Sequence, residues 1–372
     1  MRVALDVTSL VGPRTGIGMF TFALAEGLSG ESDIDLVGFA ATWRGRGEVG
    51  DAAPHGMTMA TRPMAARPLR TLWRHTNHPT IEWWTGPVDV VHGPNYVVPP
   101  ARRAAMVVSV HDLTMIHFPE MCTADTLAYP ALVRAAVQRG AWVHTDTEAI
   151  AREVTEMFAV DPSRVRCVPL APSPIPSADP DVAHQLVGAE DFVLALGTVE
   201  PRKDLPGLVT AFEQVADEHA EIRLVIAGPD GWGADALTTA IGASRHRQRI
   251  VRLGWVTSTE RAALLRAARV LAYPSRYEGF GLPPLEAMSV GTPVVATAVA
   301  AVEETCADAA LLVPRGDPAA LATGIATVLT EAETRERLVA AGRERAGMFS
   351  WSATVAGMSS LYRDAVASHS TA

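Results

Sequence analysis

Lysine is nearly missing from this chain: of its 32 lysine and arginine residues, Lys203 alone is a lysine. Arginine supplies almost all of the positive charge, and the formal net charge of −9 leaves no basic excess with which to neutralise nucleic-acid phosphates. The charge balance therefore argues against a general nucleic-acid-binding function. The retained lysine indicates a place where a compact point charge matters more than a planar guanidinium, with chance survival as the alternative.

Cysteine and long apolar runs are scarce as well. Cys122, Cys167 and Cys306 have no C-x-x-C spacing, so the sequence supports neither a disulfide framework nor a zinc site. No window approaches about 18 unbroken apolar residues, and the first ten residues are too short and too interrupted for a signal peptide. We expect a cytoplasmic protein with buried, reduced thiols.

The residues that are present describe two folded domains. With 372 residues, 48% of them hydrophobic and 20% charged, the chain exceeds one ordinary core and has the composition of a soluble globular protein. Short apolar strands alternate with helices from Val3 onward and again from Phe192 onward. Such repeats predict parallel sheets with right-handed crossovers. The expected fold class is α/β, with two Rossmann-like domains whose parallel sheets face an interdomain cleft.

A proline-rich segment separates the two series of strands. Residues 170–180 hold prolines that continue neither a helix nor a strand, which is typical of a linker. We expect an N-terminal domain over 1–172, a linker over 173–190, a C-terminal domain over 191–350, and a helix over 351–372 that returns to the N-terminal domain. Ligands of open parallel sheets bind beyond the carboxyl ends of the strands, so functional residues are expected in the loops that follow strands.

The first such loop follows the predicted strand Phe192–Leu196 and reads Gly-Thr-Val-Glu-Pro-Arg-Lys-Asp-Leu over 197–205. Arg202 and Lys203 stand between a strand end and a helix start. Two cations and a helix N-terminus can therefore converge on one anion, such as a diphosphate. A pair of solvated loop charges is the alternative.

The second loop follows the predicted strand Val270–Tyr273 and extends to Glu286. Gly279 and Gly281 allow backbone amides to approach a ligand closely, and the two prolines at 283–284 suit the start of a helix. Glu278 lies in the loop. Glu286 is expected in the first helical turn, where the helix dipole is its alternative partner.

These motifs resemble glycosyltransferase family 4, and in particular its bacterial mannosyltransferases. In the C-terminal half the resemblance rests on Tyr-Glu-Gly-Phe-Gly-Leu-Pro-Pro-Leu-Glu (277–286), Gly-Thr-Val-Glu-Pro-Arg-Lys-Asp (197–204), Ile-Ala-Gly-Pro (226–229) and Gly-Thr-Pro-Val-Val-Ala (291–296). The N-terminal half matches more weakly, in Gly16-Ile-Gly18, Val110-His-Asp112 and Thr145-Asp-Thr-Glu148. The resemblance implies a GT-B fold and a retaining hexosyltransferase that uses a nucleotide sugar.

The resemblance also implies roles for individual residues. Arg202 and Lys203 would neutralise the donor diphosphate in place of a metal ion, and Glu286 would accept hydrogen bonds from the ribose. Glu278 would hold the donor sugar, and His111 would sit against that sugar from the other domain. The implied catalytic residues are thus His111, Arg202, Lys203 and Glu278. The implied donor-binding residues are Gly16, Gly18, Gly197, Arg202, Lys203, Glu278, Gly279, Phe280, Gly281, Leu282 and Glu286.

Two acidic pairs imitate the D-x-D metal motif. Asp33 and Asp35 lie at the edge of a predicted strand, and Asp179 and Asp181 lie in the predicted linker. We interpret all four as solvated charges. The sequence therefore predicts no essential metal, and no cofactor other than the nucleotide-sugar co-substrate.

The donor and the acceptor are less narrowly indicated. The Gly-Thr-x-Glu-Pro-Arg-Lys form is typical of the mannosyltransferase branch and favours GDP-mannose, with UDP-sugars and deoxysugar nucleotides left open. The segment 62–75 combines cations and aromatic residues in an acidic protein. It predicts contact with a lipid-linked acceptor or an anionic membrane face through Arg67, Arg70, Trp73 and Arg74. An exposed loop and helix with no such role is the alternative.

Two other classes of function compete with a transferase. A non-catalytic nucleotide-sugar-binding partner subunit predicts decay of the functional positions, but Lys203, Glu278, Glu286 and His111 are all present. A Rossmann dehydrogenase or epimerase requires G-x-G-x-x-G after the first strand, and the segment 12–18 has a different spacing.

Overall fold

The structure is a computed structural model that describes residues 1–12, 16–42, 49 and 52–369. The chain divides into two compact units. Unit 1 contains the residues up to Leu170 together with those from Ser350 onward, and unit 2 is Ala171–Phe349. Each unit is an α/β domain built on a parallel sheet.

In the described residues of unit 1, the sheet has seven parallel strands in the order β3-β2-β1-β4-β5-β6-β7. All positions of β4 and β5 are buried, which is the pattern of strands covered on both faces. The strands are β1 (Arg2–Asp6), β2 (Asp35–Phe39), β3 (Thr58–Met59), β4 (Val90–Gly93), β5 (Ala105–Ser109), β6 (Trp142–Thr145) and β7 (Val165–Cys167). The described α-helices are Gly16–Ser29, Ala66–Trp73, Glu82–Thr85, Thr114–His117, Tyr129–Gln138, Glu148–Phe158 and Trp351–His369.

The sheet of unit 2 has six parallel strands in the order β10-β9-β8-β11-β12-β13. Its central strands β8 and β11 are buried at every position. The strands are β8 (Phe192–Leu196), β9 (Arg223–Ala227), β10 (Ile250–Gly254), β11 (Val270–Tyr273), β12 (Val294–Thr297) and β13 (Leu311–Val313). The α-helices are Pro180–Val187, Leu205–Glu218, Ala234–Ala243, Ser258–Ala267, Leu282–Val290, Ala300–Cys306, Pro318–Thr330 and Ala332–Gly347.

Both sheets reverse their strand order at one point. The reversal lies between β1 and β4 in unit 1 and between β8 and β11 in unit 2. Ligands of doubly wound sheets bind in the crevice beyond the carboxyl ends of the strands at such a point. The loops after these strands are therefore the first places to examine for a site.

The terminal helix Trp351–His369 packs on unit 1. Thr354 donates its hydroxyl hydrogen to the carbonyl oxygen of Pro169 over 2.7 Å, and Tyr362 is completely buried. Gly27 makes the close packing possible, because a Cβ at that position would lie 2.4 Å from a methyl carbon of Val355. The last three residues of the predicted terminal segment, 370–372, lie outside the described residues.

The segment 173–190 is more ordered than the predicted linker. The units divide between Leu170 and Ala171, and Pro180–Val187 forms a helix within unit 2. Asp179 caps this helix by accepting a hydrogen bond from the backbone N–H of Asp181, and Pro180 occupies its first turn, where a missing N–H costs nothing. The last proline of the segment thus begins a helix, and the expectation of a linker throughout 173–190 is wrong.

Candidate active site

The loop between β8 and the helix Leu205–Glu218 places two cations at the switch point of unit 2. Gly197 turns the chain after the strand with φ 140°, and Pro201–Lys203 forms one 3₁₀ turn. Asp204 follows with φ 47°, in the left-handed region that asparagine and aspartate adopt more readily than other residues with side chains. Arg202 and Lys203 therefore project from a tight turn of fixed conformation.

Arg202 and Lys203 share one carboxylate, that of Glu278. Arg202 Nη1 donates to Glu278 Oε2 over 2.6 Å, and Lys203 Nζ donates to Glu278 Oε1. Lys203 Nζ also donates to the hydroxyl oxygen of Tyr273 over 3.0 Å, and Arg202 Nε donates to Glu200 over 2.9 Å. The structure thus brings together three residues that the sequence placed in two separate loops.

The cluster is buried. Lys203 is 9% exposed and Glu278 is 7% exposed. Burial alone would raise the pKa of Glu278, but Arg202 and Lys203 outweigh burial and lower that pKa to about 2. Burial also lowers the pKa of Lys203, against the opposing attraction of Glu278. Glu278 is therefore ionised throughout the neutral pH range. Its carboxylate is bound to Arg202 and Lys203, the two cations that an incoming anion would meet.

A small pocket opens beside this cluster at the carboxyl ends of β8 and β11. Gly197, Thr198, Lys203, Tyr273 and Ser275 contribute to its lining. Both strands are the central pair at which the order of the sheet reverses. The pocket therefore lies where a doubly wound sheet binds its ligand, with Lys203 as the cation in its wall.

The Glu278 loop leads directly into the helix Leu282–Val290. Gly281, at φ 110°, precedes the helix, which has prolines in its first turn. Phe280 is buried and packs edge-on against Phe349, with ring centroids 5.7 Å apart, so its side chain serves the core of unit 2. The segment from Gly279 to Leu282 lies at the helix N-terminus, where backbone N–H groups and the helix dipole favour an anion.

Glu286 lies in the second turn of this helix, so its predicted place in the first turn is wrong. The first turn has no acidic residue, and the helix dipole no longer offers an alternative role for Glu286. The buried Glu286 carboxylate accepts a hydrogen bond from Arg261 Nη2 and another from the backbone N–H of Ser173. Burial raises the pKa of Glu286, although Arg261 opposes this. Sequence reasoning missed Arg261, because the packing of two helices is what brings it to Glu286.

His111 follows β5 in unit 1, and both of its ring nitrogens have protein partners. Nδ1 lies 2.8 Å from Asp146 Oδ2, and Nε2 lies 2.8 Å from the carbonyl oxygen of Pro94. Burial alone would lower the pKa of His111, but Asp146 outweighs burial and the pKa is raised. Contact of this ring with a donor sugar stays a prediction. Sequence reasoning missed Asp146 as the partner of His111.

Gly16 and Gly18 lie in the first turn of the helix Gly16–Ser29 of unit 1. Gly16 is exposed and Gly18 is buried. Residues 13–15, which belong to the glycine-containing segment 12–18, lie outside the described residues. The donor-binding role of the two glycines stays a prediction.

Of the four residues predicted to meet an acceptor or a membrane, Trp73 is a core residue. It is 1% exposed, and its indole N–H donates to the carbonyl oxygen of Pro79 over 3.0 Å. The prediction that Trp73 faces a ligand or a lipid surface is therefore wrong. A tryptophan in an amphipathic helix can face inward or outward, and here its ring packs edge-on against that of Trp84.

The three arginines of that segment are not equivalent. Arg67 is exposed and pairs with Asp125 over 3.4 Å, and Arg74 is exposed. Arg70 is partly buried, with its guanidinium 5.9 Å from the centre of the Tyr129 ring. Trp83, whose ring centre lies 5.0 Å from the guanidinium of Arg62, is 58% exposed. No helix in the described part of the chain is long and apolar enough to cross a membrane.

The two acidic pairs have structural partners. Asp33 pairs with Arg363 over 3.0 Å and Asp35 with Arg2 over 3.2 Å, while Asp179 caps a helix. Among the described residues, no group of three or more His, Cys, Asp or Glu side chains is arranged to hold a metal ion.

This chain is similar in sequence to known glycosyltransferases. Residues 181–345 match the family model described as glycosyl transferases group 1. O-antigen chain mannosyltransferase B of Escherichia coli is 28% identical over 376 residues, which cover 94% of this chain and 96% of that protein. A D-inositol 3-phosphate glycosyltransferase of Stackebrandtia nassauensis is 30% identical over 246 residues, which cover 60% of this chain and 54% of that protein. The region that matches the family model contains Arg202, Lys203, Glu278 and Glu286.

Solved structures with the same fold cover almost the whole chain. Sucrose-phosphate synthase from Thermosynechococcus elongatus superposes with a TM-score of 0.76 at 20% identity, covering 99% of both chains. HepE from Anabaena, solved with UDP and glucose, gives 0.72 at 16% identity and covers 97% of this chain and 98% of its own. WaaG, a glycosyltransferase involved in lipopolysaccharide biosynthesis, gives 0.70 at 18% identity and covers 98% of both chains. At these identities the likeness establishes a shared fold.

Proposed function

Because this chain is a glycosyltransferase of the GT-B fold whose residues 181–345 match the model of glycosyl transferases group 1, we propose that it transfers mannose with retention from a nucleoside-diphosphate sugar. Mannose is favoured because the mannosyltransferase relative matches along 94% of this chain. The acceptor is a glycan, a glycolipid or a small molecule.

The buried cluster of Arg202, Lys203 and Glu278 carries this proposal. Negative charge grows on the leaving nucleoside diphosphate as its bond to the sugar breaks, and cations that are already fixed in a water-poor site stabilise that charge most effectively. Arg202 offers a planar fork and Lys203 a point charge, which together suit the two phosphates. In the proposed reaction these cations do the work of a metal ion, so no metal is required.

Binding of the donor would exchange one anion for another. The diphosphate takes the place of the Glu278 carboxylate on Arg202 and Lys203, and the released carboxylate then accepts hydrogen bonds from hydroxyls of the donor sugar. Glu286, held by Arg261, accepts hydrogen bonds from the ribose hydroxyls. Gly279 and Gly281 bring the helix N-terminus of Leu282–Val290 to the phosphates.

Retention follows if the acceptor attacks from the face that the phosphate leaves. The bond between the anomeric carbon and the phosphate oxygen breaks, the bond to the acceptor oxygen forms on the same face, and the acceptor proton passes to the departing phosphate oxygen. This scheme uses no protein nucleophile. It demands strong stabilisation of the leaving group, which is what the two cations supply.

The donor is tested by a screen for release of nucleoside diphosphate in the presence of EDTA. GDP-mannose, UDP-glucose, UDP-N-acetylglucosamine and a deoxysugar nucleotide are compared with the wild-type protein and with Arg252→Gln, a variant away from the cluster. We expect turnover of GDP-mannose that survives EDTA. A UDP-sugar is the second candidate, because HepE shares the fold and was solved with UDP and glucose. If the protein binds a donor without transferring its sugar to any offered acceptor, the non-catalytic subunit becomes the better description.

We also propose that the acceptor meets unit 1 near the exposed arginines Arg67 and Arg74, at a cytoplasmic membrane face. Their positive charges and the exposed ring of Trp83 suit an anionic headgroup region. Liposomes with and without anionic lipid are sedimented with wild-type protein and with the double variant Arg67→Gln/Arg74→Gln. Binding that needs anionic lipid, falls with salt and is reduced in the variant supports the proposal. Equal binding by both proteins removes it.

A further inference from the structure

A chain of buried hydrogen bonds runs through unit 1 from the terminal helix to β6. The hydroxyl of Tyr362 lies 2.7 Å from His92 Nδ1, and His92 Nε2 lies 2.8 Å from Ser109 Oγ. Ser109 Oγ lies 2.8 Å from His144 Nδ1. All four side chains are fully buried. Two histidines are thus held inside the core of a sheet, where an unpaired polar group would be costly.

With both histidines neutral, the acceptor at the far end sets the direction of every hydrogen bond in this chain. His144 Nε2 lies 3.0 Å from the carbonyl oxygen of Val168, which can only accept, so Nε2 carries a hydrogen. His144 Nδ1 then accepts from the Ser109 hydroxyl, Ser109 Oγ accepts from His92 Nε2, and His92 Nδ1 accepts from Tyr362. This arrangement satisfies every atom with both histidines neutral. Burial lowers the pKa of His92 and of His144, which agrees with that state.

His111 stands beside this chain in a different situation. Its Nδ1 faces Asp146 Oδ2 and its Nε2 faces the carbonyl oxygen of Pro94, each at 2.8 Å. A backbone carbonyl oxygen and a carboxylate oxygen both accept hydrogen bonds. A neutral imidazole has one N–H, so it would leave one of these two acceptors without a donor, whereas the imidazolium satisfies both. Asp146 is 2% exposed, so little water can donate a hydrogen bond to its carboxylate in place of His111.

The other groups around His111 agree with a positively charged ring. Asp112 adds a second, weaker negative influence, whereas His144 and Tyr96 pack edge-on against the ring at 6.3 and 6.1 Å between centroids. His144 Nε2, which carries its hydrogen, lies 3.7 Å from Asp146 Oδ1, the oxygen that His111 does not use. Three neighbouring histidines therefore differ in charge because one of them has a carboxylate on its ring.

We propose that Asp146 is a positioning residue that fixes His111 as an imidazolium in a single orientation beyond the carboxyl end of β5. As a charged donor with both nitrogens engaged, His111 takes no proton from the acceptor sugar and contributes a fixed positive charge instead. That use of the charge rests on the proposed transferase function. The protonation state itself does not, since it follows from the two acceptors.

The experiment is a titration of the histidine ring nitrogens by ¹⁵N NMR, with the His111 signals assigned by their loss in His111→Phe. In the wild-type protein at pH 7.5 we expect His111 to show two protonated nitrogens, and His92 and His144 one each. In Asp146→Asn, His111 should titrate at least ten times more readily to the neutral form, which is a fall of one pKa unit or more. Ser109→Ala is the matched control, because it breaks the buried chain and leaves the Asp146–His111 contact in place.

Each outcome decides the proposal. A neutral His111 in the wild-type protein at pH 7.5 overturns it even if no variant folds, and so does an unchanged His111 pKa in Asp146→Asn. If His111 is an imidazolium and Asp146→Asn lowers kcat without changing the KM for the donor, Asp146 positions the charge for transfer. If the NMR result holds but no sugar is transferred by the wild-type protein, the transferase proposal fails and the assignment of His111 stands.

Discussion

Both units bury charged side chains beyond the carboxyl ends of their strands, but the partners of the cations differ. In unit 2, Arg202 and Lys203 face the side-chain carboxylate of Glu278, which in the proposed reaction gives way to the donor diphosphate. In unit 1, the His111 ring is held between Asp146 and the backbone carbonyl of Pro94, and a carbonyl cannot leave without moving the chain. The first arrangement suits exchange of an anion, and the second suits a fixed charge.

The difference shows that burial of charge has two uses in one protein. A buried cation whose counter-ion is a movable side chain can bind an anionic ligand instead, because the ligand and the side-chain carboxylate compete for the same hydrogen-bond donors. A buried cation with a rigid partner is pre-oriented and changes little on binding. Variants of Glu278 should therefore change ligand affinity. Variants of the cluster around His111 should change the orientation and the protonation of the His111 ring.

The largest effect is expected for Lys203→Met, which removes the point charge and keeps an apolar stem beside Tyr273. We expect kcat/KM for the donor to fall by about 10²–10³-fold, the magnitude found when one preorganised donor to a developing negative charge is lost. Release of nucleoside diphosphate measures the rate, and thermal unfolding shows that the variant is folded.

Lys203→Arg is the matched variant for that test, because it keeps the charge but replaces a compact ammonium with a planar fork. We expect partial recovery at most, since Lys203 Nζ must reach both Tyr273 and Glu278. Turnover by Lys203→Met at the wild-type rate would place the diphosphate somewhere other than this cluster.

A smaller and opposite effect is expected for Glu278→Gln. Removing the carboxylate leaves Arg202 and Lys203 without their shared anion, so GDP or UDP no longer has to displace it. We expect the nucleoside diphosphate to bind about tenfold more tightly, roughly 1.4 kcal/mol, while transfer of the sugar becomes slower. Isothermal titration calorimetry measures the affinity.

Asp146→Asn serves as the control in unit 1 and should leave the affinity for nucleoside diphosphate unchanged. Because the pKa of Glu278 is about 2, Glu278 itself should contribute no titration to the wild-type affinity between pH 5 and pH 8. Weaker binding of GDP and UDP by Glu278→Gln would mean that Glu278 assists the diphosphate rather than competing with it.

The sequence predicted the cluster of unit 2 much better than that of unit 1, for a physical reason. Strands β8 and β11 have the predicted bounds, because buried parallel strands are continuous apolar runs. Arg202 and Lys203 are adjacent in the loop after β8. Glu278 belongs to a recognisable motif in the loop after β11, the strand beside β8 in the sheet. Parallel strands bring such loops to one edge of the sheet, so their meeting could be foreseen.

The cluster of unit 1 has no comparable signal. Each strand contributes one residue to the cluster. His92 and Ser109 each look like an isolated polar position in an apolar strand, and His144 stands beside Thr145 in β6. Tyr362 lies 270 residues after His92 along the chain. Only the order of the strands and the packing of the terminal helix bring these side chains together, and both are properties of the tertiary fold.

The two clusters should also respond differently to acid. Burial lowers the pKa of His92 and His144 below the usual 6.5, so the unfolded chain takes up protons first and unit 1 loses stability as the pH falls below about 6.5. Each histidine contributes at most about 1.4 kcal/mol per pH unit.

The pKa of His111 is raised, so its contribution is fully present below 6.5 and is lost as the pH rises through its folded value. Glu278, with its lowered pKa, loses its contribution only below about 4.5. Native-state hydrogen exchange at pH 7 and pH 5 should therefore show β4–β6 weakening while β8 and β11 hold, and β4–β6 that do not weaken at pH 5 would contradict the neutral state of His92 and His144.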